Sequence, residues 1–304
     1  MQRKGYSMAE KDITEKVLES YNDVFADIAN VLLFQGERVI QPEDLEERQP
    51  RSFYKAAGKV REMERDVAKV WKNGKIRIAF VGYENQTTAD PDMPLRIMGY
   101  DGAEYRAQLT KEEDRRHPVV TLVLYFGYTK RWDMPKNLLG RLDVPQKLKP
   151  FVSDYKINVF EIAYLSREQV NLFQSDFRVV ADYFVQMREN GSYQPGSQEL
   201  KHIQETLQLL SVMTGDHRYE EAYNNFRETE RRPNNMSEFL DSIEQRGYLH
   251  GTQDGVKRGR AEREAQIILN MYKNRIPMRQ IAASVERSVD EIKEVIEGKK
   301  TLLS

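Results

Sequence analysis

The chain has no cysteine, and that absence excludes disulfide frameworks, Cys-ligated zinc, iron–sulfur clusters and thiol catalysis together. Histidine is scarce as well. Its four residues, His117, His202, His217 and His250, stand far apart, which argues against histidine-rich metal sites and Ser–His–acid triads. There is no run of 18 apolar residues and no basic region followed by an apolar stretch. A membrane span and a secretory leader are therefore not expected, and the chain is read as cytoplasmic. No glycine loop of the form GxxxxGK[S/T] occurs, which sets aside an ATP-driven motor. Charge of one sign is not in excess either: 47 Lys and Arg meet 48 Asp and Glu. Any nucleic-acid contact must then come from local patches rather than a global field.

What remains for chemistry is mainly carboxylate, and carboxylates point to hard cations such as Mg²⁺. The length of 304 residues suits about two domains of ~150 residues. Hydrophobic periodicity orders the chain. A helix is expected from about Asp12 to Phe34, with Val17, Tyr21, Val24, Ile28 and Val31 on its apolar face and Gly36 at its end. QPEDLEERQPRS reads as loop. From Met63 to Gln86 the pattern is that of a β-hairpin turning at Asn73–Gly74. A helix follows from Asp92 to Leu109, with Met98, Gly102, Tyr105 and Leu109 as its packing stripe.

His117–Gly127 has the continuous apolar character of a strand buried on both faces, and Tyr155–Leu165 reads as a further strand. Ser166 and Gln169 form a capping box opening a helix whose stripe runs through Val170, Phe173, Phe177, Val180, Phe184 and Met187. Asn190–Ser197 has linker composition, and helical patterns follow it: 198–213, 218–227, then 237 onward. The order implies an α/β core over residues 1–190 and a helical extension over 191–304.

The hairpin holds the candidate chemistry. Asp66, Glu84 and Gln86 stand in runs otherwise rich in apolar and aromatic residues, where polar groups need partners. Side chains alternate faces, so register decides whether they cooperate. A two-residue turn makes paired numbers sum to an odd value and sets Asp66 facing away from Glu84. A three-residue loop with a glycine bulge makes the sum even and puts Asp66, Glu84 and Gln86 on one face. In that register two carboxylates could bind a divalent cation, while Gln86 orients water or phosphate. Solvated surface acids are the plainer alternative.

The stretch RDVAKVW, followed by GYENQTTADPDMPLRIMGYDGAEYRAQL, closely resembles the Rpn family of recombination-promoting nucleases, also classed as transposases, within the PD-(D/E)xK nuclease superfamily. The resemblance covers roughly Tyr21 to Gly191, with ENQ and MPLRIMGYD its most specific phrases. It implies a restriction-endonuclease-like α/β core with a mixed sheet flanked by helices. It also implies a DNA endonuclease dependent on Mg²⁺ or Mn²⁺ and linked to mobile elements. By that resemblance Asp66 is the metal-binding aspartate and Glu84 the second metal-binding acid. Gln86 stands where most of the superfamily has lysine, a departure shared by Rpn-like sequences. The superfamily often also uses an acid from its first core helix, here Asp27, with Asp23 as rival; an exposed helix carboxylate is the plainer alternative for either. Arg96 is assigned to phosphate contact or a structural ion pair, and Tyr100 and Tyr105 to packing. The neutral net charge and the missing lysine support an alternative, an inactive DNA-binding or assembly protein with a nuclease fold.

The extension carries Gly247, Gly251, Gly255 and Gly259 at four-residue intervals. In a helix each costs about 0.8–1 kcal/mol relative to alanine, so either a partner helix packs on them in a homo-oligomer or the segment is a tether. Lys257, Arg258, Arg260 and Arg263 offer a local DNA-binding patch or a solvated face. The end, IPMRQIAASVERSVDEIKEVI, resembles a helix-turn-helix, although Asp290, Glu291 and Glu294 on its second helix would repel phosphates.

Overall fold

A computed structural model describes residues 18–47, 51–56, 59–64, 67–71, 76–82, 89–109, 116–216, 218–219 and 234–298. The chain forms two compact units, one up to Phe239 and one from Leu240. The first is built on helix α1 (Asn22–Phe34) and strands β1 (Leu45–Glu47), β2 (Arg51–Ala56), β3 (Lys59–Glu64), β4 (Val67–Trp71) and β5 (Ile76–Gly82). Helix α2 (Met93–Gln108), β6 (Val119–Tyr125), the short α3 (Leu138–Arg141) and β7 (Asn158–Glu161) follow. Helices α4 (Arg167–Leu172), α5 (Phe177–Asn190) and α6 (Ile203–Thr214) complete its regular elements.

One sheet has the order β1-β4-β5-β6-β7, and β2 and β3 make a separate antiparallel pair. β1, β4 and β5 run antiparallel; β5, β6 and β7 run parallel. The protein is thus mixed α/β, as the sequence order implied. Leu122, Val123 and Leu124 are wholly buried, which explains why β6 reads as an unbroken apolar run: both faces of the sheet are covered. Val123 and Tyr125 meet Met93, Ile97 and Tyr100 of α2 on one face. Phe126, continuing the other face, meets Phe177 and Phe184 of α5. Gly127 is required locally, because a Cβ there would strike the Tyr125 ring.

Several expectations need correction. The stretch read as loop after Pro42 contains β1 and runs into β2, and Met63 and Glu64, expected in the β4–β5 hairpin, belong to β3 and pair with Ser52 and Arg51. The strand expected to reach Leu165 ends at Glu161 and becomes a single 3₁₀ turn, Ile162–Tyr164. In α2 the stripe was placed on the wrong side. Met93, Ile97 and Tyr100 are buried, whereas Met98, Tyr105 and Leu109 are exposed. The helix expected from Ser166 to Met187 is two helices. Its capping box is present, but Phe173 turns extended, and the N–H groups of Gln174 and Ser175 donate to Asp27 Oδ2 at 2.8 and 2.7 Å. A carboxylate from a distant helix takes the donors that would continue α4. The part of the first helix before residue 18 and most of 218–227 lie outside the described residues.

Lys69 on β4 is unusual. Its side chain is 1% exposed, 3.7 Å from Glu47 and 5.8 Å from the centre of the Phe25 ring. Burial lowers its pKa, outweighing the attraction of Glu47. The folded state therefore disfavours the charged form. Stability contributed through this group rises with pH between the lowered folded value and the ordinary 10.5. Lys69→Met is expected to stabilise the protein by about 1–2 kcal/mol at pH 7. In urea denaturation the gain should shrink as pH approaches 10.5; a gain that grows with pH would contradict this account.

The second unit holds most of α7 (Met236–Lys273), with α8 (Met278–Ser284) and α9 (Val289–Ile296). Ala261, Ile268, Ile281, Ala282, Ile292 and Val295 form its core. The two short helices expected at the end are present, with a Ser288–Glu291 capping box opening α9. The four glycines of the stripe all lie within α7, and a Cβ at any of them would meet nothing within 4 Å. The segment is helix rather than loose tether, and no described side chain lies against those positions. No helix among the described residues is long and apolar enough to cross a membrane.

Candidate functional site

Asp66, Glu84 and Gln86 lie outside the described residues, but the strands beside them are described. β4 and β5 pair Val67 with Phe80 through Trp71 with Ile76, so paired numbers sum to 147. This is the odd register, not the even one that puts Asp66 and Glu84 on a common face. For those two positions to share a face, the pairing must shift by one residue beyond the described strands, and a β-bulge is the ordinary device for that shift. The chain leaves β5 after Gly82, at the carboxyl end of parallel strands β5, β6 and β7. Ligand sites of open α/β sheets collect at that end.

Asp27 and Asp23 both line a cleft of about 220 Å³, with Asn30, Arg38, Ser175 and Lys201. Asp27 Oδ2 and both Asp23 oxygens are already engaged. Asp27 Oδ2 holds the α4–α5 break, and Asp23 lies 3.1 Å from His202 Nε2 and 3.8 Å from Lys201 Nζ. His202 stacks on Tyr21 with ring centres 3.8 Å apart, and the Tyr21 hydroxyl donates to Glu205 at 3.1 Å. Nearby Asp176 is buried and accepts the backbone N–H groups of Lys201 and His202. Burial raises its pKa despite those donors. We expect Asp27→Ala to cost about 1–2 kcal/mol, the loss of a charged acceptor for two backbone donors. A thermal melt equal to the parent's would refute this structural role.

Arg96 is half-exposed, 3.2 Å from Asp90 and 3.4 Å from the Tyr100 hydroxyl. It has the structural ion pair that was one of its two expected roles. Tyr100 is buried in the α2 face. Tyr105 is largely exposed, and its hydroxyl accepts the Val119 N–H at 3.1 Å. Lys257, Arg258 and Arg260 all stand exposed on α7. Arg263 is exposed on the same helix, and this exposure suits both of the roles expected of the cluster.

A residue the sequence reading passed over is Asp101, inside the MPLRIMGYD phrase. It is 3% exposed and accepts short hydrogen bonds of 2.6 Å from Thr121 Oγ1 and from the Tyr155 hydroxyl. It ties α2 to β6 and to the approach to β7. An acid in an otherwise apolar α2 face was the only available signal.

The described fold is mixed α/β, and in the sequence Asp66 and Glu84 lie just outside the residues of its β4–β5 hairpin. Residues 65–211, just under half of the chain, match the family described as putative transposase, YhgA-like. No curated protein and no solved structure matches the chain.

Proposed function

We propose that the protein is a divalent-cation-dependent DNA endonuclease acting in recombination or in the movement of mobile elements. The observation that carries this reading is the match to the transposase family, which begins at Arg65 and takes in Asp66, Glu84 and Gln86. The topology supports it. Leaving aside the β2–β3 pair, α1, β1, β4, β5, α2 and β6 follow in order, three antiparallel strands then a crossover helix to a parallel one. A mixed sheet flanked by helices is what the resemblance to the PD-(D/E)xK superfamily implies.

Among the described residues, no group of three or more His, Asp or Glu side chains is arranged to hold a metal. The donors offered by the motif are two carboxylates and an amide oxygen, hard ligands that suit Mg²⁺ or Mn²⁺. Asp66 and Glu84 would hold the ion, which when bound supplies charge stabilisation at the phosphate and an activated water. Gln86 would orient water or phosphate by hydrogen bonding. Uncharged, it cannot neutralise developing charge or donate a full proton as lysine can.

The odd register of the hairpin and the missing lysine favour a second reading, a DNA-binding protein that keeps the fold without cleavage. Supercoiled plasmid separates the two. Nicking that requires Mg²⁺ or Mn²⁺ and stops with chelator supports the nuclease; intact plasmid with every divalent cation, alongside retained DNA binding, supports the second reading.

A further inference from the structure

Between α3 and β7 the chain makes a protruding loop in which every residue from Pro145 to Phe151 is exposed. Phe151 is 84% exposed and Leu148 52%, an unusual exposure for large apolar side chains so close together. The backbone here is ordered, not slack. Leu148 N–H donates to Pro145 O, Phe151 N–H to Leu148 O, and Lys149–Phe151 is a 3₁₀ turn. Side chains three apart eclipse in such a turn, so Leu148 and Phe151 project from one side. Lys147 and Lys149 interleave with them, and among the described residues neither has an acidic partner. Asp154, the nearest acid after the turn, is occupied by Asn137 Nδ2 and the Leu139 N–H. Asp143, on the other side, is the acid left between 136 and 156 to offset Lys147, Lys149 and Lys156, since Lys136 and Arg141 pair with Glu161 and Asp92.

The position of the loop identifies its partner. Arg141, at the start of the loop, pairs with Asp92 at the N-terminus of α2. The chain reaches that helix end from β5 through the segment containing Glu84 and Gln86. We propose that Pro145–Phe151 is a DNA-docking wedge: Lys147 and Lys149 contact phosphates, and Leu148 with Phe151 presses into the minor groove at a base step. Basic side chains around an apolar wedge suit a polyanion whose stacked interior can be opened. This rests on the proposed DNA substrate and adds how that substrate is held.

The test is anisotropy of a labelled duplex bound by the full chain across a salt series, with Ca²⁺ replacing Mg²⁺ so that binding is read. Removing both lysines (K147A/K149A) should lower the magnitude of the log K against log salt slope by about 1.8, some 0.9 for each phosphate contact. Arginine at both positions should restore it. Phe151→Ala should weaken binding about tenfold with the slope unchanged, because an uncharged side chain neutralises no phosphate and releases no counterion. Parent-like binding by all variants of a chain that cleaves plasmid overturns the wedge and leaves the nuclease reading standing. Loss of binding in the variants of a chain that never cleaves supports the wedge and overturns the nuclease reading. A parent that does not bind DNA overturns the wedge. So does binding to phosphatidylserine vesicles that Phe151→Ala abolishes while DNA affinity is unaltered, since the loop would then serve a membrane surface.

Discussion

Asp66→Ala is expected to reduce divalent-cation-dependent plasmid cleavage by about 10²–10⁴-fold, with circular dichroism and melting unchanged. A metal-held stabilisation of phosphoryl charge contributes several kcal/mol, and each 1.36 kcal/mol is a factor of ten in rate. Losing one of two carboxylate ligands removes much of that and weakens ion binding as well. Glu84→Gln should have an effect of similar size while preserving shape. A partial rescue by raised Mn²⁺ would distinguish lost affinity from a lost chemical role. Cleavage at the parent's rate in both variants would remove the acid pair from the mechanism. The register makes this a demanding test. Paired numbers in the described hairpin sum to 147, so both acids can act at one ion only if the pairing shifts outside β4 and β5.

The second large effect concerns stability. Asp101→Ala should cost about 3–4 kcal/mol, because two short hydrogen bonds to a buried carboxylate are lost and the Thr121 and Tyr155 hydroxyls are left without that acceptor. For a chain of this size the melting temperature should fall by roughly 6–12 °C. Asp101→Asn, which keeps one acceptor oxygen, should lose less. Differential scanning calorimetry of the two variants decides the matter: a melt within about 1 °C of the parent for Asp101→Ala would show that the network contributes little. Cleavage should persist in Asp101→Asn below its melting temperature, which separates this residue from the acid pair.

These predictions differ in origin. The proposed acid pair comes from the chain alone, because RDVAKVW, ENQ and MPLRIMGYD resemble a family's pattern. Asp101 lies in the same phrase, yet its importance depends on Thr121 and Tyr155, 20 and 54 residues away. Asp27 illustrates the same limit more sharply. Flanking the apolar stripe of α1, it looked like a helix carboxylate free for chemistry, but its oxygen accepts from backbone groups 147 and 148 residues further on. Helical periodicity could not reveal that break, since Val170, Phe173 and Phe177 are buried on both sides of it. The α2 stripe failed for a related reason. Met98 and Leu109 are as apolar as Met93 and Ile97, and only the placement of the sheet decides which side faces in.

By itself the sequence determined the α/β class, the buried central strand, the Ser166 capping box, the helical extension and the kind of chemistry open to a chain without thiols. Those depend on composition and short-range pattern, because solvent exposure and backbone hydrogen bonding act within a few residues. The tertiary structure alone decided the hairpin register, the burial of Lys69, the partners of Asp23, Asp27 and Asp101, and the exposure of Phe151. Each depends on what a distant segment brings within a few ångströms, and electrostatic and hydrogen-bond energies change steeply over that range.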